Sequence, residues 1–315
     1  MMVSNITATI ATSIMPKRIE VQQAAVKSWQ RLGFRVVSVN DEAELATLSP
    51  LFEGVHFVPA AQNAAKTPLV PISEIFKILG KFETDICGII NSDIILSTGL
   101  DFIDFLWRNT EAHSLVFGPR LDVNEITSRS GRTGTGYDYF FFRKELLLIR
   151  LYGDFTLGST WWDYWLPVSL AINGVRLKYL IVPVGFHPKH PSGWNEDDLK
   201  KGKKEFIAGI KKAWNRSKNH SLLSARSNSV IERLGIEGFA ESIPSAILLD
   251  SDCIIHAQQS VPLEKVEIMV NTFKDHIEAY EAVVLSRSWR WTRGARTLAS
   301  GLHNKALRIV KGGAA

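Results

Sequence analysis

Three short stretches hold the residues whose types and spacing could do chemistry. In CGIINSDIIL (87–96) an apolar run is interrupted by Asn91, Ser92 and Asp93 and then resumes. A buried strand tolerates polar groups only where each finds a partner. The triplet is therefore either a strand-to-turn exit or a carboxylate held at the rim of a pocket. One carboxylate there can suffice for Mg²⁺ or Mn²⁺ on a diphosphate, because phosphates and waters fill the remaining shell. In GSTWWDYWLP (158–167) a single acid, Asp163, stands among Trp161, Trp162, Tyr164 and Trp165. Flat amphipathic rings suit the faces of sugars, and they can desolvate a carboxylate until its pKa suits a general base. The same segment also reads as a Trp-rich core helix whose acid caps it or pairs with an arginine. In HPKHP (187–191) two imidazoles follow a strand, and His187, nearer the strand end, is the better placed to complete a metal site with Asp93. A zinc site would want more Cys or His ligands than this stretch offers.

Other polar residues stand where open α/β sheets bind ligands, beyond the carboxyl ends of strands. Thr12 and Ser13 end the first expected strand, and Asn40-Asp41 end the second. A base and ribose could lie across those ends with Asp41 as acceptor; equally, Asp41 could cap the next helix. GRTGTG (131–136) precedes a strand and lacks the Lys-Ser/Thr ending of a P-loop, so it reads as a surface loop or an acceptor-side lid. No G-x-G-x-x-G follows the first strand, which removes the usual warrant for a dinucleotide site. A literal D-x-D at Asp250-Ser251-Asp252 falls far from the other candidates and reads as chance.

The elements that must position these groups alternate along the chain. Strands are expected at 6–14, 34–40, 55–60, 85–93, 114–120, 137–142 and 176–186. Helices are expected over 18–32, 72–79, 98–108, 161–174, 195–217 and 263–291. Short strands separated by helices imply an α/β domain with a largely parallel sheet. No apolar run reaches the roughly 18 residues of a membrane span. The first residues read as a strand rather than a signal peptide. Cys87 and Cys253 give no disulfide framework, which suits a reducing cytoplasm. The net charge of +5 belongs to the tail, where 286–315 carries Arg287, Arg290, Arg293, Arg296, Lys305, Arg308 and Lys311 without an acid. The remainder is slightly acidic, so charge gives no support for nucleic-acid binding.

Taken in order, ITATIATSI with Asn40-Asp41, INSDI with Asp93, WWDYW with Asp163 and GFHPKH with His187 resemble a GT-A-type glycosyltransferase of the bacterial glycan-biosynthesis kind, over roughly 5–215. The resemblance implies a GT-A-like (Rossmann-like) mixed, mostly parallel sheet flanked by helices over 1–217, and a mainly helical extension over 218–315. It implies a nucleotide-sugar donor bound by Thr12, Ser13, Asp41, Asn91 and Asp93, with Mn²⁺ or Mg²⁺ on Asp93 and His187. Asp163 would be the catalytic base of an inverting enzyme, or an acceptor-positioning group in a retaining one. Trp161, Trp162 and Trp165 would stack a glycan or lipid-linked acceptor. Asn91 departs from the family's pattern, because an acid is usual at that position. A non-catalytic nucleotide- or glycan-binding protein of the same fold is the alternative. The cations and apolar residues of 286–315 suit an amphipathic segment on an anionic membrane surface, hence a cytoplasmic protein held peripherally on the inner face of the cytoplasmic membrane; a tail that packs back on the domain or stays solvated is the other reading.

Overall fold

A computed structural model describes residues 6–61, 69–128, 131–134, 136–151, 153, 155–191, 193–216, 235–240 and 243–256. The first half builds strands β1 (Ala8–Thr12), β2 (Arg35–Asn40), β3 (Val55–Pro59), β4 (Ile86–Ile90) and β5 (Ile95–Leu96). Between them lie helices α1 (Ile19–Arg31), α2 (Glu42–Leu48) and α3 (Ile72–Gly80). Then come α4 (Phe102–Asn109), β6 (Ser114–Phe117), β7 (Arg120–Val123), β8 (Arg132–Thr133) and β9 (Tyr139–Arg143). The second half adds α5 (Trp162–Ile172), β10 (Arg176–Leu180), β11 (Gly185–Pro188), α6 (Glu196–Arg216), α7 (Ile243–Leu249) and β12 (Ser251–Ile254).

Eight strands form the main sheet in the order β12-β10-β6-β9-β4-β1-β2-β3. Its ladders are parallel except those of β9, which runs antiparallel to β4 and β6. Helices cover both faces: α3, α5, α6 and α7 share one apolar cluster, and α1 and α4 share the other. The alternating pattern implies the largely parallel sheet, and the resemblance implies its mixed character and flanking helices; the structure has both. The β-branched, fully buried β1 sits beside β4, so the turn carrying Asp93 emerges from the middle of the sheet.

Two strands are shorter than expected, for one reason. The runs 114–120 and 176–186 each contain a proline, Pro119 and Pro183, which lacks an N–H for the ladder. Neighbouring β6 and β10 stop before these prolines. Both chains re-form in a second sheet, ordered β5-β11-β7-β8, where β7 and β11 again pair in parallel. The expected division at 217/218 is also crossed. β12, from the expected extension, pairs with β10 as the edge of the main sheet. Its Asp252 is exposed and faces Arg176 at 3.6 Å, as a surface ion pair rather than a metal ligand. The expected helix 263–291 and the tail 286–315 lie outside the described residues.

The tryptophans of α5 divide sharply. Trp162 and Trp165 are buried, Trp162 against Phe140 and Trp165 against Phe155. The expectation that they stack an acceptor is corrected: neither ring presents a face to solvent, because α5 turns them into the core. Trp165→Ala should therefore cost about 3–5 kcal/mol of unfolding free energy, as core aromatics do. Urea denaturation measures this. An unimpaired melt with weakened acceptor binding would instead return Trp165 to the acceptor.

Candidate functional site

Asp93 sits in the turn after β4, at the carboxyl end of the central strands, where Ile94 N–H donates to the Asn91 carbonyl at 3.1 Å. Its Oδ2 meets Arg18 Nη1 at 3.0 Å, His187 Nε2 at 3.4 Å and His190 Nε2 at 3.4 Å. One ligand atom from each of Asp93, His187 and His190 lies within 4.8 Å of the others. β11 delivers His187, the turn after it delivers His190, and Arg18 immediately precedes α1. Burial alone would raise the Asp93 carboxyl. Hydrogen bonds from His187 and His190, with the charges of His187 and Arg18, outweigh it and hold the group well below the usual carboxylate range.

Outer partners orient both imidazoles. His187 Nδ1 lies 3.0 Å from Asp122 Oδ1, and His190 Nδ1 lies 2.8 Å from the Pro191 carbonyl. Both partners only accept, so both Nδ1 atoms carry the proton. Each Nε2 is left facing Asp93, able to offer a proton in the imidazolium or a lone pair in the neutral ring. Imidazoles fixed by an outer acceptor and converging with one carboxylate are the donor set of a divalent cation site, so these residues fit the cation that the sequence implies. The expectation of His187 alone is extended: the Pro-flanked turn brings His190 to the same carboxylate.

A second set of groups adjoins the first. Arg120 Nε donates to Asp122 Oδ1 at 3.0 Å, and its Nη1 pairs with Asp138. Asp138 in turn accepts from the Asn91 side chain. Asn91 thus braces an acid instead of pointing at Asp93. Asp163 lies beside this group, accepting the Tyr137 N–H at 3.1 Å. Burial first, and the Asp138 charge second, push its carboxyl up to about 7. A Cβ at Gly136 would stand 2.6 Å from Asp163 Oδ2, so a side chain here would displace the carboxylate. The GRTGTG stretch is thereby tied to the site: Arg132–Thr133 pairs with β7, and Gly136 touches Asp163.

The remaining expected residues are more dispersed. Thr12 is buried at the end of β1, and its Oγ1 has no hydrogen-bond partner among the described residues. Ser13 follows it, partly buried. Asp41 is exposed and caps α2 through the Ala43 N–H at 2.9 Å. Trp161 is partly buried, with Nε1 donating to the Leu199 carbonyl at 3.1 Å. Sequence reasoning missed Arg18, Arg120, Asp122 and Asp138. The alternation Arg-Leu-Asp-Val (120–123) carried a strand signal for Asp122, hidden because the expected strand stopped at Arg120.

No family model matches the chain, and no curated protein matches it. Solved structures do. One is S. aureus TarS 1-349 in complex with UDP-GlcNAc, at 13% identity and TM-score 0.47, covering 89% of this chain and 82% of that one. A second is a mannosyltransferase from Pyrobaculum calidifontis in complex with GDP-Man and Mn²⁺, at 13% identity and TM-score 0.46, covering 98% and 88%. A third is glucosyl-3-phosphoglycerate synthase from Mycobacterium tuberculosis in complex with Mn²⁺, UDP and phosphoglyceric acid, at 15% identity and TM-score 0.43, covering 66% and 78%.

The Asp163 environment makes a stability prediction. A free Asp titrates near 3.9, roughly three pH units below the group in the fold. Below about pH 4 both states are neutral and nothing is lost. As pH rises toward 7, the unfolded chain releases a proton that the fold retains, so stability falls; above about 7 the full penalty applies. The bound on that penalty is about 4 kcal/mol, reduced by the solvent that reaches this partly exposed residue. Asp163→Asn should therefore melt higher than wild type at alkaline pH in EDTA, with the gap closing under acid. A constant gap from acid to alkali would show that the carboxyl titrates normally.

Proposed function

We propose that the chain is a glycosyltransferase that moves a sugar from a nucleoside-diphosphate donor to a glycan or lipid-linked acceptor. The observation that carries this reading is the pairing of two functions beyond one end of a mostly parallel sheet: ligand atoms of Asp93, His187 and His190 within 4.8 Å of one another, and a separate carboxylate, Asp163, raised to about 7. Asp93, His187 and His190 would hold a divalent cation, which when bound would offset charge on the departing nucleoside diphosphate. Two imidazoles and one carboxylate suit Mn²⁺ better than Mg²⁺, which favours oxygen shells.

The chain's own groups divide the work. Ser13 and Asp41, at the ends of neighbouring β1 and β2, would meet a nucleoside resting there, whereas Thr12, fully buried, would shape the floor without touching it. Arg18 pairs with Asp93 and also donates to the Pro188 carbonyl at 3.0 Å, so its guanidinium stands where diphosphate oxygens would arrive. Asp163 accepts the proton of the attacking hydroxyl in an inverting reaction, and its pKa near neutrality suits both taking and returning that proton. In a retaining reaction it would orient the acceptor. Asn91 and Arg120 keep Asp138 in place behind it. Among the described residues no helix is long and apolar enough to cross a membrane. Cytoplasmic placement, with peripheral attachment through 286–315, belongs to this proposal.

Melting curves against nucleoside diphosphates and nucleotide sugars, with Mn²⁺, Mg²⁺ or EDTA, test the reading. A ligand that binds only the folded state raises the melting temperature. One nucleotide should give a Mn²⁺-dependent rise that Asp93→Ala abolishes. His190→Ala should weaken Mn²⁺ at least the roughly tenfold that loss of an outer-shell partner costs. With the donor so identified, Asp163→Asn should bind it normally yet lose turnover. A rise indifferent to EDTA and to Asp93→Ala removes the cation, and no rise together with no turnover removes the transferase.

A further inference from the structure

The second sheet sets a row of side chains on one face. Asp122 is paired with His187 on one side, across β7 and β11, and with Arg132 on the other, across β7 and β8. Paired residues point to the same face of a sheet, and the 3.0 Å contact between Asp122 and His187 agrees. The row therefore runs from the Asp93–His187–His190 cluster through Asp122 to Arg132. Strands lie about 4.8 Å apart, so Arg132 and His187 are separated by roughly 10 Å at the backbone. Asn124 and Lys189, two residues beyond Asp122 and His187, extend the same face, with Lys189 Nζ donating to Asn124 Oδ1 at 3.1 Å.

A cleft of about 630 Å³ opens over this face, lined by Asp122, Asn124, Gly131, Arg132 and Lys189. Its charge is cationic in effect. Its lining sets two cations, Arg132 and Lys189, against one carboxylate, Asp122, whose Oδ1 already accepts from Arg120 Nε and His187 Nδ1. Among the described residues, no acid lies within ion-pair distance of Arg132 or Lys189. A guanidinium and an ammonium on the rim of a cleft, with a neutral amide between, make a set of donors for phosphate oxygens.

We propose that this cleft is the acceptor subsite and takes an acceptor carrying a phosphate group, which Arg132 and Lys189 hold within roughly 10 Å of the cation cluster. The phosphate-binding part stands on the cleft alone; its role as acceptor site rests on the transferase reading. The subsite explains why the GRTGTG stretch pairs with β7: that pairing sets Arg132 opposite Asp122.

The test is binding of glycerol 3-phosphate, with glycerol as control, to the full chain by calorimetry. Arg132→Gln and Lys189→Gln should each weaken it about tenfold, as loss of a charge-assisted hydrogen bond does, and Arg132→Lys should restore part. Glycerol should not bind. Saturating nucleoside diphosphate with Mn²⁺ should leave the phosphate ester bound. Displacement by the nucleotide would give the two cations to the donor and overturn the acceptor assignment. No binding, or binding indifferent to both variants, would overturn the cleft as a phosphate site. Phosphate-ester binding in a chain that responds to no nucleotide would retain the cleft and refute the transferase. Sedimentation with phosphatidylglycerol vesicles locates the source of the phosphate: loss of lipid binding in Arg132→Gln puts it on a lipid, and unchanged lipid binding puts it on a soluble acceptor.

Discussion

One carboxylate oxygen joins the two halves of the site. Asp122 Oδ1 accepts from His187 Nδ1 and from Arg120 Nε, each at 3.0 Å. The first bond fixes which nitrogen of His187 carries the proton and aims the other at Asp93. The second orients the guanidinium so that its far nitrogen meets Asp138. Arg120 then stands among three acids, Asp122, Asp138 and Asp163, and one cation cannot neutralise three anions. Asp122 also has His187, and Asp138 also has Asn91. Among the described residues Asp163 has backbone N–H donors alone, so the unmet charge falls on it. Burial is the first cause of its raised pKa, and the neighbouring Asp138 charge the second.

That joint exists because two strands leave the main sheet together. β6 and β10 are parallel neighbours, and Pro119 and Pro183 stop both. Their continuations β7 and β11 pair again in the second sheet, where Asp122 meets His187 and His187 reaches Asp93 in the turn after β4. Tyr139 fills the corner, with its hydroxyl donating to the Pro119 carbonyl at 2.9 Å. A Cβ at Gly185 would lie 2.6 Å from the Tyr139 ring, so the close packing there requires glycine. Tyr139 also follows Asp138 directly. The wedge that holds the corner therefore fixes the acid that Arg120 and Asn91 share.

Much of the scaffold was legible because its signals are local. Alternating apolar runs gave β1 to β4 and α1, α3, α5 and α6 within a few residues, since periodicity and burial coincide there. Asp93, Asp163 and His187 were legible too, because each is a polar exception in an apolar setting. The groups that tune them were not. Asp122, which also holds Arg120, meets His187 across 65 residues of chain, and that pairing depends on a register no local pattern encodes. His190 was visible but misjudged, because two prolines signal a rigid turn without saying which way it points. Trp162 and Trp165 misled for the opposite reason: composition makes a sugar platform and a core identical, and only the helix rotation separates them.

The backbone at two helix starts shows how much the site demands. Among the described residues, Arg18 and Trp161 are the non-glycine residues with positive φ, at 55° and 70°. Each immediately precedes a helix: Arg18 itself pairs with Asp93 ahead of α1, and α5 carries Asp163 in its first turn. The left-handed conformation costs about 1–2 kcal/mol for a residue with a Cβ, and glycine would avoid the cost. Both side chains are nonetheless engaged. Arg18 makes two hydrogen bonds, to Asp93 and to the Pro188 carbonyl. Trp161 packs against Phe206 and donates to the Leu199 carbonyl, tying α5 to α6. Glycine at either position would relieve the backbone and lose the anchor. Charge-assisted hydrogen bonds contribute about 1.5–3 kcal/mol, so for Arg18 the contacts outweigh the strain. For Trp161 the ring contact with Phe206 and the bond to the Leu199 carbonyl hold the residue that starts α5, the helix that carries Asp163.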